Sequence, residues 1–131
     1  AGSTLLLPVL ADRALFSLGD GHAAQGDGEL SGTAIECPIE EVQLRIERAP
    51  GITLTTPRAH TPAGDLTLGF AETLDRATEI AAAAMLDLLA ESLAISRAQA
   101  AAVASSRVSL RITQCVNPHR GVHAICPKAA R

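Results

Sequence analysis

Thr73-Leu74-Asp75-Arg76-Ala77-Thr78-Glu79-Ile80-Ala81-Ala82-Ala83-Ala84-Met85-Leu86-Asp87-Leu88 is where the texture of this chain changes. Leu74, Ala77, Ala81, Met85 and Leu88 recur at steps of three and four, the spacing of one face of an α-helix. The pattern predicts a helix from about Leu74 to Ser92. Ser96 with Gln99 three residues later forms a capping box, which predicts a second helix from Arg97 to about Ser105. After it, Val108, Leu110 and Ile112 alternate with Arg107, Ser109, Arg111 and Thr113, the two-residue period of a strand. Asn117-Pro118 turns the chain, and Gly121 to Cys126 returns as the last strand.

Upstream of the helix pair the signals are short and β-like. Thr4 to Leu10 holds Pro8, so it reads as an edge strand or one that ends at the proline. Ala14 to Leu18 is a second short apolar run. Leu30 to Glu36 reads as a strand. Val42, Leu44 and Ile46 alternate with Gln43, Arg45 and Glu47, which predicts a half-buried strand. Ile52 to Thr56 and Leu66 to Phe70 are further strands, with Pro57, Pro62 and Gly64 marking a loop between them. The expected fold is α+β: a mainly antiparallel sheet, with a helix pair inserted before a C-terminal hairpin. Residues 1–131 are read as a single domain.

The composition narrows the function classes. The chain has 131 residues, of which 47% are hydrophobic and 19% charged, so it is neither disordered nor fibrous. Lys and Arg total 11 and are scattered, and net charge is −3, so no nucleic-acid footprint is present. The longest apolar runs, such as Ile80 to Leu86, are too short to cross a membrane. No secretory signal pattern is visible, and the expected location is cytoplasmic. Trp and Tyr are absent, and Phe16 and Phe70 are the only aromatics, leaving little surface for stacking a base or a sugar. Cys37, Cys115 and Cys126 fit no zinc spacing and read as reduced, packed residues.

The residues able to do chemistry concentrate in Gly19-Asp20-Gly21-His22-Ala23-Ala24-Gln25-Gly26-Asp27-Gly28-Glu29. Four glycines bring backbone close to whatever this loop holds. Asp, His and Glu are ligands for a divalent ion such as zinc, manganese or iron, and equally the groups of general acid–base catalysis. A solvated acidic turn is the bland alternative. Glu36, at the end of the strand beginning at Leu30, is a second candidate. Strict alternation places Glu29 and Glu36 on opposite faces, so both should not serve one site unless a bulge lies near Gly32. His60 reads as exposed in a proline loop and His119 as a turn residue. His123 lies on the last strand, opposite in face to Val122, Ala124 and Cys126, where exposure is the common state. No serine or cysteine nucleophile is assignable.

The strings Gly2-Ser3-Thr4-Leu5-Leu6-Leu7-Pro8-Val9, Ala14 through Leu30 and Gly32-Thr33-Ala34-Ile35-Glu36 resemble the acetamidase/formamidase family. So do Ala83-Ala84-Met85-Leu86-Asp87-Leu88-Leu89, Ile95-Ser96, Leu110-Arg111-Ile112, Gln114 and Asn117-Pro118. The resemblance covers nearly the whole chain and corresponds to the C-terminal part of longer family members. It implies a β-rich amidohydrolase that hydrolyses the carbon–nitrogen bond of a small amide such as formamide or acetamide, releasing ammonia. The Asp20–Glu29 loop would line its active site. Asp20 and His22 would hold a divalent ion, zinc being the first candidate, that activates water and polarises the carbonyl. Glu36 or Glu29 would move the proton, and Gln25 and Asp27 would bind substrate. Without a metal, His22 becomes the base, oriented by Asp20 or Asp27.

The family has an Ala-Tyr in the second helix and an acid in the following strand, where this chain has Ala100-Ala101 and Ser109. The alternative reading is therefore a shortened relative, repurposed as a binding or assembly module or for another small ligand. Leu5, Leu6 and Leu7, with the Ala-rich helix, offer more apolar surface than one small sheet can cover. The expected partners are a second copy of the chain, or a partner chain supplying the family's N-terminal domain.

Overall fold

A computed structural model of the chain describes residues 2–128. The helix pair forms where its periodicity predicts. Helix α1 spans Leu74–Leu93, with the Thr73 side chain accepting from the Arg76 amide at its start. Ala94 closes it in the left-handed conformation, φ 53°, its amide bonding back to the last turn. Helix α2 spans Arg97–Arg107, and its capping box is complete: Ser96 Oγ accepts from the Gln99 amide, and Gln99 Oε1 accepts from the Ser96 amide.

Seven strands are present among the described residues: β1 Thr4–Leu6, β2 His22–Ala24, β3 Ile35–Glu36, β4 Arg58–His60, β5 Gly64–Ala71, β6 Ser109–Gln114 and β7 Arg120–Pro127. Five form one antiparallel sheet in the order β1-β4-β5-β7-β6, and β2 and β3 form a separate ribbon. The chain leaves β5, runs through both helices, and returns as the β6–β7 hairpin with β7 seated beside β5. The α+β class, the helix pair and the C-terminal hairpin are thus as expected.

Helix α1 lies on the face of β5 and β7 that carries Thr67, Gly69, Val122 and Ala124. Small residues let the two backbones approach. Thr67 Oγ1 donates to the Ala81 carbonyl at 2.7 Å, and Gly69 lies directly under Ala77 and Ala81. The core is Ala77, Ala81, Met85, Leu88, Leu89, Ala100, Val122, Ala124 and Cys126, with Met85 its largest fully buried side chain. The expected helix face is therefore the buried one, and the sheet covers it. Most of the apolar surface left open lies in the first half of the chain, including Leu5 and Leu7, with Leu93, Leu110, Ile112 and Val116 adding to it in the second.

That first half departs most from the sequence expectations. The Val42–Ile46 segment joins neither sheet, and Val42, Leu44 and Ile46 are exposed. Ile52 to Thr56 is likewise not a strand, although the Thr56 hydroxyl donates to the Leu68 carbonyl. The strand expected from Leu30 shrinks to Ile35–Glu36, because Glu29 (φ 48°) and Gly32 (φ 69°) turn the chain and the Gly32 amide donates to the Glu29 carbonyl. Ala14 to Leu18 is not regular: Arg13, Ala14 and Leu15 all take positive φ. Conversely, the expected proline loop contains β4, since Pro57 and Pro62 flank a strand rather than interrupt it. His60 belongs to that strand and is half-buried, its Nδ1 2.8 Å from Asp65 Oδ1. His123 is buried, with Nδ1 2.8 Å from Thr113 Oγ1. Cys37, Cys115 and Cys126 are free thiols. Among the described residues no helix is long and apolar enough to cross a membrane.

Candidate active site

The β2–β3 ribbon builds the site. Its register sets His22 opposite Glu36 and Ala24 opposite Ile35, with an irregularity between His22 and Ala24. His22 Nε2 lies 3.0 Å from Glu36 Oε1. The same nitrogen lies 3.5 Å from Asp20 Oδ1. Two carboxylates from different segments are thus aimed at one ring nitrogen.

The local backbone explains how they reach it. Asp20 adopts φ 58°, a left-handed conformation that Asp tolerates better than most side chains. It lets Asp20 curl back toward the ribbon. Gly21 packs under Ile39: a Cβ there would come within 2.7 Å of Ile39 Cγ1. The His22 side chain is only 17% exposed, whereas those of Asp20 and Glu36 are 88% and 75% exposed. The imidazole is therefore held in place while both acids face solvent on one side.

One ligand atom from each of Asp20, His22 and Glu36 lies within 4.8 Å of the others. Two carboxylate oxygens and one imidazole nitrogen at this spacing form a donor set for a borderline divalent ion. The open side leaves room for water or a substrate oxygen, as catalytic metal sites require.

The other sequence candidates lie elsewhere. Asp27 Oδ2 sits 3.4 Å from Arg111 Nη1. Glu29 Oε2 accepts from Asn117 Nδ2 at 3.4 Å. Both contacts belong to the junction where the loop docks on the sheet edge: Gly28 bridges Gln114, with backbone bonds from Gly28 to Thr113 and from Cys115 to Gly28. Glu29 and Glu36 accordingly serve different neighbourhoods, parted by the turn at Glu29 and Gly32 and not by strand alternation, since the strand is confined to Ile35–Glu36. Gln25 lines an open depression of about 450 Å³ with Ala24, Gly26, Ser31, Thr33, Ala34 and Ile35, one register step from the His22–Glu36 pair. Ser31 and Thr33 are the lining residues that sequence reasoning passed over, because isolated hydroxyls in a turn carry no signal.

A family model described as the Acetamidase/Formamidase family matches residues 1–52, the segment that contains all three converging side chains. The chain is similar to acetamidases and formamidases. A predicted acetamidase/formamidase from Thermoanaerobacter tengcongensis superposes with a TM-score of 0.80 at 30% identity, over 96% of this chain and 42% of that one. An acetamidase from Bacillus halodurans gives 0.72 at 34% identity, over 96% and 42%. An acetamidase from Yersinia enterocolitica gives 0.65 at 27% identity, over 81% and 32%. The chain thus spans less than half the length of these solved relatives. No curated protein sequence matches it.

Proposed function

We propose that this chain carries part of the active site of an amidohydrolase that cleaves the C–N bond of a small linear amide and releases ammonia. The observation that carries the reading is the convergence of Asp20 and Glu36 on His22 Nε2, inside the segment that the acetamidase/formamidase model matches.

Asp20 and His22 would hold a divalent ion, zinc fitting their donors best. Bound there, it would supply a water of lowered pKa and a polarised amide carbonyl. Glu36 carries the proton: its carboxylate takes one from the attacking water and delivers it to the leaving nitrogen, so water and amide become carboxylic acid and ammonia. Glu36 suits this role better than Glu29, since its oxygen lies 3.0 Å from His22 Nε2 whereas Glu29 bonds to Asn117. Gln25 in the adjoining depression orients the amide. Asp27, tied to Arg111, acts by holding the loop in place.

The site is open on one side. Amide hydrolysis also needs a preorganised donor for the tetrahedral oxyanion, whose loss alone costs on the order of 10²–10³ in rate. We infer that further donors come from polypeptide beyond these 131 residues or from a partner subunit. The isolated chain should therefore release ammonia from formamide or acetamide slowly or not at all, even with zinc supplied. An ammonia-release assay checks this, and ordinary enzyme turnover by the chain alone would contradict it.

The open apolar surface of residues 39–46 favours a second reading, an assembly module built on the same fold. Zinc-dependent ammonia release in any assembled form of the protein, abolished by Glu36→Gln, would decide for the amidohydrolase.

A further inference from the structure

The β2–β3 ribbon has little to hold it together by itself. Its register pairs His22 with Glu36 and Ala24 with Ile35, and residues 25–34 join the two strands. Ala23, Ala24 and Ile35 are exposed, so the ribbon buries no apolar face of its own. A two-stranded ribbon of this kind is at best marginally stable in water. Yet Glu36 reaches His22 Nε2 only while that register holds.

The connecting loop is fastened at one place. Gly28, buried and at φ 91°, lies beside the edge of β6 as a single parallel bridge to Gln114. Its amide donates to the Thr113 carbonyl at 3.2 Å. Its carbonyl accepts from the Cys115 amide at 3.1 Å and from Cys115 Sγ at 3.2 Å. Asp27 with Arg111 and Glu29 with Asn117 flank the bridge. Among the described residues, every hydrogen bond between residues 20–36 and the rest of the chain falls at 27–29. The flanking pairs are open to solvent, where such contacts are worth little. The backbone bonds at buried Gly28 carry the attachment, since a buried amide left unpaired is costly.

We propose that the edge of β6 sets the geometry of the candidate site: Thr113 and Cys115, by clasping Gly28 through their main chains, are positioning residues that keep His22 and Glu36 in register. The link to zinc rests on the function proposed above, whereas the ordering of the ribbon does not. Coupling runs both ways, so a clasp that favours the metal-binding register is favoured in turn by bound metal. No local pattern in the sequence shows it, because Gly28 and Cys115 are 87 residues apart.

Hydrogen exchange read peptide by peptide, with zinc titration alongside, tests this on the whole chain. Gly28→Ala has room for its methyl group, whose nearest neighbour would be Leu30 Cδ2 at 3.5 Å, so the variant acts through the positive φ that Ala resists. It is expected to speed exchange across residues 20–36 about tenfold or more and to weaken zinc uptake about tenfold or more. Exchange in α1, β5 and β7 should stay unchanged. Gly51→Ala carries the same kind of strain, at φ 85° with no atom within 4 Å, in a turn outside the ribbon, and should change neither quantity. Arg111→Gln combined with Asn117→Ala removes the exposed flanks and should act in the same direction by about threefold. In the unaltered chain, zinc should slow exchange at Gly28 and Cys115. Ribbon exchange in Gly28→Ala equal to that of the unaltered chain overturns the clasp, and so does protection lost evenly throughout the chain. Faster ribbon exchange with unchanged zinc affinity overturns its role in positioning the site. A chain that takes up no zinc at all removes the metal reading, and the exchange comparison alone then decides the clasp.

Discussion

Gly69→Val unfolds the chain at ordinary temperature or leaves it severely destabilised. Gly69 sits in the middle of β5 beneath α1. A Cβ placed there would lie 2.7 Å from the Ala81 amide nitrogen and closer still to the Ala77 carbonyl oxygen. Both are helix backbone, so no side chain can rotate away. The whole of α1 would have to lift from the sheet, loosening Met85, Leu88 and Leu89 at once. Overpacking a core costs about 1–3 kcal/mol where side chains can yield, and more where they cannot. A domain of this size is stable by only about 5–15 kcal/mol in total. Denaturant unfolding is the check. A midpoint matching that of the unaltered chain would show that α1 does not rest on β5 as described. Met85→Ala is the milder companion, expected to cost about 2–5 kcal/mol through the cavity it leaves.

His22→Ala should lower zinc affinity by more than about 100-fold while leaving the melting midpoint of the metal-free protein unchanged. Removing groups that merely orient metal ligands already costs about 10–100-fold, and His22 is read as a ligand itself. The side chain lies outside the hydrophobic core, so the fold should not notice its loss. Glu36→Gln separates the assigned roles. As the proton carrier, Glu36 can be replaced with a modest effect on zinc and a complete loss of hydrolysis in any assembled, active form. Asp20→Asn should behave like His22→Ala in kind. An affinity equal in the His22→Ala variant and the unaltered chain would remove the imidazole from the site.

Much of the fold was legible because its decisive signals are local. The step of Ala77, Ala81, Met85 and Leu88, and the Ser96/Gln99 box, depend only on neighbouring residues. So do the two-residue period of β6 and the turn at Asn117-Pro118. The first half was less legible, because strand pairing is a long-range choice. Val42, Leu44 and Ile46 alternate as a strand should, yet among the described residues no strand pairs with them. β4, between two prolines, carries little apolar signal and exists because β1 and β5 bracket it. At the site, Asp20 and His22 were visible as near neighbours in a glycine-rich loop. That Glu36 meets them depends on the ribbon register, which brings together positions fourteen residues apart. His123 was misjudged because its burial is set by the hairpin and by Thr113, not by its flanking sequence.

The central claim is that Asp20, His22 and Glu36 form a metal-dependent hydrolytic site, and calorimetric titration of the unaltered chain with zinc tests it most directly. The account predicts saturable uptake of one ion per chain, weakening as the pH is lowered and protons compete with the ion for its ligands. Absence of saturable uptake at neutral pH, or uptake that survives His22→Ala at full strength, would contradict it.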